Sequence, residues 1–171
     1  MRFRATLGLA LALGGGLAAA ACDGDGGPLD PRALRLRLVI ERAEWERVEP
    51  PSYAYEVRRS CFCDPFMTTR ARVEVEAGEV VEATYLEAIP GTDIPAGAPV
   101  PAEFLPFYLP VEGLFDLVEA ALDAGAATVE VEFNPALHYP TAITIIHCAP
   151  ACPDDGTSVE ATALAPRFGD G

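Results

Sequence analysis

The sequence predicts an α+β domain in which an antiparallel sheet of about six strands carries helices on one face. Several short segments alternate apolar and polar residues, which is typical of antiparallel strands with one buried and one wet face. Two longer segments repeat apolar residues at helical spacing. The segments follow each other in the order α-βββ-α-βββ, so we expect one sheet with the helices packed against its buried face.

The first helix is expected to begin at Pro31 and to end before Pro50-Pro51. Asp30 is a favoured N-cap residue, and proline fits the first helical position. The residue before a proline avoids helical backbone, which sets the end of the helix. The predicted buried stripe consists of Leu34, Leu38, Trp45 and Val48.

Three strands are expected after this helix. Residues 53–57 alternate between the two faces of a strand, with both tyrosines on one face. Residues 70–87 supply two further strands with Ala77-Gly78 as the hairpin turn between them.

The outward residues of the alternating strands include Glu74, Glu76, Glu130 and Glu132. These carboxylates are either a solvated outer face or an acidic docking surface for a cationic partner.

The second helix is expected within residues 111–125, with Gly125 as its stop. Its predicted stripe consists of Leu114, Phe115, Val118, Ala121 and Leu122. Three more strands are expected within 127–133, 140–147 and 157–164. In the last of them Val159, Ala161 and Ala163 should share one face, and Asp154-Asp155-Gly156 should form the hairpin turn before it.

The segment 88–110 holds six prolines and ends in a group of aromatic residues. Loops of this length are often functional. Phe104, Phe107 and Tyr108 are therefore candidates for binding a partner, and the alternative is that they cap an open end of the core.

The N-terminus has the features of an export signal. Arg2 and Arg4 precede an apolar run that extends to residue 21 and is too short for a comfortable membrane span. The run ends in Ala19-Ala20-Ala21-Cys22, which resembles the lipobox of bacterial lipoproteins. We therefore expect a signal peptide over 1–21, lipidation of Cys22, and a lipid bilayer as the first partner. The alternative is an ordinary signal peptide.

The composition and charge of the rest of the chain indicate its organisation and limit its possible partners. Residues 22–30 are rich in Gly and Asp and predict a flexible tether, followed by one domain over 31–165 and a tail over 166–171. The formal net charge is −14, and it becomes −16 without the two arginines of the leader. So acidic a chain repels phosphate backbones, which disfavours nucleic acid as a partner.

Four cysteines remain beyond Cys22: Cys61, Cys63, Cys148 and Cys152. An even number in an exported protein predicts disulfides, and four cysteines allow three pairings. The alternative is a zinc or copper site made of the four thiolates with His147. The spacings do not match a common zinc module, and a redox pair is disfavoured by the acidic surroundings and the lack of Cys-x-x-Cys.

Several residues together resemble a known family. They are Trp45, Ser52-Tyr53-x-Tyr55, Arg59-x-Cys61-Phe62-Cys63, the turn between Val75 and Val81, Leu114-Phe115, Asn134 and His138-Tyr139-Pro140. This set resembles a family of small bacterial secreted and lipid-anchored proteins of unknown function. His138 stands where that family usually has Gly, and Cys148 and Cys152 stand where it tends to have acidic residues.

The resemblance implies a lipoprotein-like fold and no particular activity. It favours local disulfides, because Cys-x-Cys occurs in that family without a second pair. We therefore predict Cys61–Cys63 and Cys148–Cys152 bridges. The sequence contains no phosphate loop, Gly-x-Ser-x-Gly or His-Glu-x-x-His. We expect a membrane-anchored envelope protein that binds an envelope protein or small ligand, without catalysis and without a cofactor.

Overall fold

The computed structural model describes residues 30–148 and 156–167. The helices are α1 (Pro31–Val48), α2 (Pro65–Thr68) and α3 (Val111–Asp123), and a 3-10 turn spans Leu105–Phe107. The strands are β1 (Ser52–Ser60), β2 (Ala71–Glu76), β3 (Glu79–Tyr85), β4 (Thr128–Phe133), β5 (Pro140–Ile146) and β6 (Gly156–Pro166). The predicted α+β class and element order are confirmed, with α2 as a short helix that the sequence did not predict.

The sheet consists of two three-stranded meanders that meet through β1 and β6. Its order is β3-β2-β1-β6-β5-β4, and every neighbouring pair is antiparallel. Tyr53 lies opposite Val75, and Val57 lies between Ala71 on one side and Ala161 on the other. The buried face of the sheet packs against α1 and α3, as predicted.

Helix α1 begins where the sequence placed it. The carboxylate of Asp30 accepts hydrogen bonds from the backbone N–H groups of Arg32 and Ala33, at 2.9 and 3.2 Å. The predicted core residues Leu34, Leu38 and Trp45 are buried, but the prediction for Val48 is wrong because its side chain is exposed. Ten residues after Leu38, Val48 lies roughly 80° around the helix, on the flank of the buried stripe.

Helix α3 runs antiparallel to α1 and buries the whole predicted stripe. Arg35 pairs with Asp123 and Arg42 with Asp116, both at 2.7 Å, so the start of α1 faces the end of α3. Gly125 stops the helix with a φ of +70°, the left-handed region that favours glycine. The backbone N–H of Ala126 then donates to the carbonyl of Ala121, which closes the helix end.

One turn and one strand show how backbone conformation sets the register. Ala77 and Gly78 have φ values of +50° and +80° and form the predicted hairpin turn. Strand β6 contains a bulge, because Ala54 pairs with Ala165 whereas Glu56 pairs with Thr162. The extra residue gives Ala163 a φ of +54° and exposes it, so the prediction that Ala163 shares the face of Val159 and Ala161 is wrong.

The outer face of the sheet carries arginines among its carboxylates. Glu74 and Glu76 lie on β2 and Glu130 and Glu132 on β4, four strand spacings or roughly 19 Å apart. Between them the guanidinium of Arg70 lies 3.6–3.9 Å from three carboxylates, and Arg167 contacts Glu74. The four glutamates are therefore part of a face of mixed charge, and a docking role for them stays a prediction.

Several predictions fall outside the described residues. They concern the leader over 1–21, Cys22, most of the tether, Cys152, the Asp154-Asp155 turn and the end of the tail. Within the described ranges no helix is long and apolar enough to cross a membrane.

Candidate functional site

The cysteine-bearing segments lie at one end of the sheet. β1 ends at Ser60, which pairs with Ser158 near the start of β6, and β5 ends at Ile146 opposite Gly156. We call this end the cysteine end: residues 61–63, 147–148 and the first residues of β6. The ends of β1 and β5 therefore lie at the same end of the sheet, with β6 between them.

Cys61 and Cys63 form a local disulfide. Their Cα atoms are 5.2 Å apart, closer than the roughly 6.6 Å of two alternate residues in an extended strand. The chain bends here because β1 has ended and Asp64 caps α2, its carboxylate accepting a 2.9 Å hydrogen bond from the N–H of Phe66. This prediction is confirmed, and the crossed pairings of Cys61 and Cys63 with Cys148 or Cys152 are excluded.

The disulfide ring presents Phe62 to solvent. Its side chain is 90% exposed, the most exposed large apolar residue in the described chain. An exposed phenylalanine at the tip of a short covalent ring loses little conformational freedom when it is covered, because the ring already restricts its backbone. Phe62 is therefore the strongest candidate for an anchor residue at the cysteine end.

Cys148 is also disulfide-bonded. Because Cys61 and Cys63 are bonded to each other, its partner lies among the residues that the structure does not describe. Cys152 is one of those residues, and the Cys148–Cys152 bridge stays a prediction. His147 is exposed at the same end of the sheet.

The thiolate metal site is not supported. Among residues 30–148 and 156–167, no group of three or more His, Cys, Asp or Glu side chains is arranged to hold a metal ion. Three of the four proposed ligands form disulfides: Cys61, Cys63 and Cys148. A disulfide sulfur lacks the thiolate charge that zinc and copper require. The predicted four-thiolate site therefore cannot form while these disulfides are intact.

The aromatic part of the 88–110 loop mainly closes the core. Tyr108 is buried, and its hydroxyl lies 2.8 Å from the carbonyl oxygen of Phe66 and 3.1 Å from that of Thr69. Phe104 stacks on Phe66 with ring centroids 4.7 Å apart, and only Phe107 is exposed. Of the three candidates for partner binding in this loop, Phe104 and Tyr108 serve packing and Phe107 remains accessible.

A shallow groove runs beside this loop. It encloses about 270 Å³ and is lined by residues of β3 and of the segment 102–110, including Val80, Leu105 and Leu109. Pockets for small molecules usually enclose at least about 300 Å³ and bury most of the ligand. This groove is smaller and open, so it does not favour a small-molecule site.

A polar cluster that the sequence did not reveal lies at the opposite end of the sheet. The carboxylate of Glu112, in the first turn of α3, accepts hydrogen bonds from the indole N–H of Trp45 at 2.8 Å and from the hydroxyl of Tyr53 at 3.3 Å. The hydroxyl of Tyr53 in turn accepts a 3.0 Å hydrogen bond from the backbone N–H of Val111. The cluster ties α1, β1 and α3 together.

Glu49 joins this cluster at the end of α1. Burial, a hydrogen bond with Glu112 and the negative charges of Glu112 and Glu46 raise the pKa of Glu49 from 4.5 to about 7. Near neutral pH Glu49 therefore holds a proton part of the time, in its hydrogen bond with Glu112. One feature of the sequence could have indicated this cluster. Glu49 follows the last turn of a helix, where a negative charge is unfavourable with the helix dipole, so a stabilising contact could have been expected there.

The two tyrosines of the Tyr-x-Tyr segment fasten α3 to the sheet. Tyr53 reaches Val111 and Glu112, and the buried Tyr55 donates a hydrogen bond to the carbonyl of Leu109. Burial raises the pKa of both tyrosines well above the ordinary value, so they stay neutral donors. These tyrosines hold α3 in position against β1.

His138 occupies a conformation suited to glycine. Its φ is +64°, the left-handed region, and the resemblance led us to expect Gly at this position. Its Nδ1 lies 2.9 Å from a carboxylate oxygen of Glu41 on α1, which holds the turn between β4 and β5 against the helix. The histidine thus acts as a structural contact.

Comparison with known protein families identifies the family of this chain. Residues 37–165 match DUF6174, described as a family of unknown function. The chain belongs to DUF6174. No curated protein and no solved structure matched the chain. The DUF6174 region includes both features described above, the Cys61–Cys63 ring and the Glu49–Glu112 cluster.

Proposed function

We propose that this DUF6174 protein is exported, anchored to a membrane through a lipid on Cys22, and acts in the cell envelope by binding a partner without catalysis. The observation that carries the proposal is the pairing of its cysteines. Cys61–Cys63 is a disulfide, and Cys148 is disulfide-bonded as well. Stable disulfides belong to oxidising compartments, which agrees with the export signal read from residues 1–21.

The binding part of the proposal rests on Phe62. It is an aromatic side chain almost wholly exposed on a covalently closed turn, at the end of a strand that is fixed in the middle of the sheet. Aromatic anchors on rigid supports are typical of binding hot spots. The partner that we propose is an envelope protein with an apolar pocket for this ring.

The anchor is tested by metabolic labelling with palmitate. The unchanged chain should incorporate the label and the Cys22→Ala variant should not, and globomycin should make a larger, uncleaved and still labelled precursor accumulate in the membrane. Equal labelling of the unchanged chain and of Cys22→Ala, or labelling of neither, would contradict lipidation of Cys22.

The binding surface is tested by photo-crosslinking in intact envelopes. A benzophenone amino acid at position 62 should yield a discrete cross-linked product, whereas the same probe at Val81, an exposed position on β3, should not. Cross-linking of equal yield at both positions, or at neither, would contradict a binding role for Phe62.

A further inference from the structure

Helix α1 exposes an apolar stripe on the side that faces away from the core. Leu36, Val39 and Ile40 are 64%, 66% and 53% exposed, and Ala43 is exposed beside them. Their spacing of three and four residues places all four on one side of the helix. We call this set the outer stripe. Large apolar side chains grouped in this way on a helix are typical of a surface that meets a partner.

The outer stripe is bounded by arginines. Arg32 and Arg47 lie one turn beyond its two ends and, at 100° per residue, project on the same side of the helix. Arg47 pairs with Glu44 at 2.9 Å at an exposed position, and Arg32 has no ion pair within the described residues. Of the three glutamates of α1, Glu44 and Glu46 flank the stripe, and Glu41 lies on the opposite side of the helix, where it contacts His138. The stripe therefore offers an apolar centre with cationic ends.

The charge of α1 also differs from that of the rest of the chain. The helix has five arginines and three glutamates, a net charge of +2, in a chain with a net charge of −14. The carboxylates of α3 that lie nearest to α1 are occupied by Arg35 and Arg42. An anionic surface would therefore repel the rest of the molecule more strongly than this helix, which favours one orientation.

A second copy of the chain is a poor occupant for this stripe. An antiparallel pairing of two α1 helices centred between Val39 and Ile40 sets Arg32 of one copy opposite Arg47 of the other. A parallel pairing sets each arginine opposite its own equivalent. Both arrangements bring like charges together at the two ends of the apolar contact, which disfavours them.

The length of chain before α1 limits where the helix can be. Residues 23–30 separate Cys22 from Pro31, and eight residues span at most roughly 29 Å when fully extended. A lipid on Cys22 would keep the start of α1 within about that distance of the bilayer. We propose that the outer stripe lies on an anionic membrane surface, with its apolar side chains among the lipid headgroups and Arg32 and Arg47 on lipid phosphates. This inference rests on the proposed lipid anchor.

The test uses the acylated full chain in vesicles of phosphatidylglycerol and phosphatidylethanolamine whose acyl chains carry bromine, a quencher of tryptophan. Val39→Trp places a fluorophore on the outer stripe. Val81→Trp is the matched control, because it is the same substitution at another exposed valine, on the edge strand β3. The buried Trp45 gives the same background in both variants. We expect at least twofold stronger quenching of Val39→Trp, which should weaken in phosphatidylcholine vesicles and when Arg32 and Arg47 are replaced by Gln.

Each other outcome overturns the inference in a distinguishable way. If both variants float with the vesicles and are quenched equally, the lipid anchor stands and the role of the outer stripe is wrong. If neither variant floats with the vesicles, the lipid anchor fails and the inference fails with it. If the emission of Val39→Trp shifts to the blue without vesicles as protein concentration rises, a second copy covers the stripe.

Discussion

The indole N–H of Trp45 donates a 2.8 Å hydrogen bond to the carboxylate of Glu112, and this bond joins the last turn of α1 to the first turn of α3. Trp45 is fully buried, so no bulk water replaces the acceptor if the carboxylate is lost. The same carboxylate accepts from Tyr53 on β1. The packing of α1, β1 and α3 against one another therefore depends on the side chain of Glu112.

We expect Glu112→Ala to destabilise the domain by about 1–3 kcal/mol, because it leaves the Trp45 and Tyr53 donors buried without their acceptor. Glu112→Gln should cost less, because its amide carbonyl can still accept from one donor. Urea unfolding followed by circular dichroism measures both. Equal losses for Ala and Gln would show that the acceptor is not the reason for the effect.

The raised pKa of Glu49 gives a defined pH dependence. Between pH 4.5 and about 7 the folded chain binds more protons at Glu49 than the unfolded chain does. The contribution of the protonated form is thus fully present below pH 4.5 and is lost as pH rises to about 7. Glu49→Gln should remove this dependence and stabilise the domain above pH 7 by on the order of 1 kcal/mol, since solvent screens part of the effect.

The comparison for Glu49→Gln is Glu132→Gln, which removes an exposed carboxylate from β4. Unfolding free energies of both variants and of the unchanged chain are measured from pH 4 to 8. The difference between Glu49→Gln and the unchanged chain should grow with pH, whereas the difference for Glu132→Gln should be smaller and flatter. Parallel profiles for the two variants would refute the pKa argument.

We expect Cys63→Ser to lower stability only modestly, toward the low end of the roughly 0–5 kcal/mol observed for disulfides. The reason is that a ring closed between residues two positions apart removes little entropy from the unfolded chain. The fold should persist by circular dichroism, while Phe62 should lose its fixed presentation. The double variant Cys61→Ser/Cys63→Ser controls for the thiol left free. A global loss of structure in the double variant would show that the ring supports the core.

We expect Tyr108→Ala to destabilise the domain by about 3–5 kcal/mol, because it empties a buried aromatic site and removes the hydrogen bond to the Phe66 or Thr69 carbonyl. Phe107→Ala, next to it in the chain and exposed, should change stability by less than about 1 kcal/mol. A similar loss for both would contradict the division of this loop into a packed and an accessible part.

The order and type of the long elements were predictable because their side-chain pattern has one dominant period. In four elements the position of the apolar residues depends only on which face is buried, so their sequence pattern predicted them correctly. These elements are α3, β1, β2 and β5. Ala163 was placed on the wrong face because a bulge shifts the alternation by one residue and leaves no compositional mark. Val48 was predicted to lie in the core because it follows the other apolar residues at near-helical spacing. Over a long helix this spacing rotates away from the buried stripe, so Val48 at the helix end is exposed.

The candidate site was only partly predictable. The Cys61–Cys63 pairing was predicted from the compartment, the even number of cysteines, the nearby Pro65 and the family resemblance. The exposure of Phe62 was not predicted, since an apolar residue between two cysteines fits a buried strand end equally well. The Glu49–Glu112 cluster joins residues far apart in the chain, and no periodicity relates them. The outer stripe of α1 was hidden because both sides of this helix carry apolar residues, so that pattern alone did not separate the solvent side from the core side.

The central place of β6 in the sheet bears on how the protein is made. It is synthesised after the other five described strands, yet it fills the gap between β1 and β5, where Val57 lies opposite Ala161. Until it arrives, two half-sheets each have an unpaired inner edge, and such edges invite pairing with other chains. Pairing across so long a stretch of chain also slows folding. A nascent chain of this topology completes its sheet only after β6 has been synthesised, which agrees with the export that we propose.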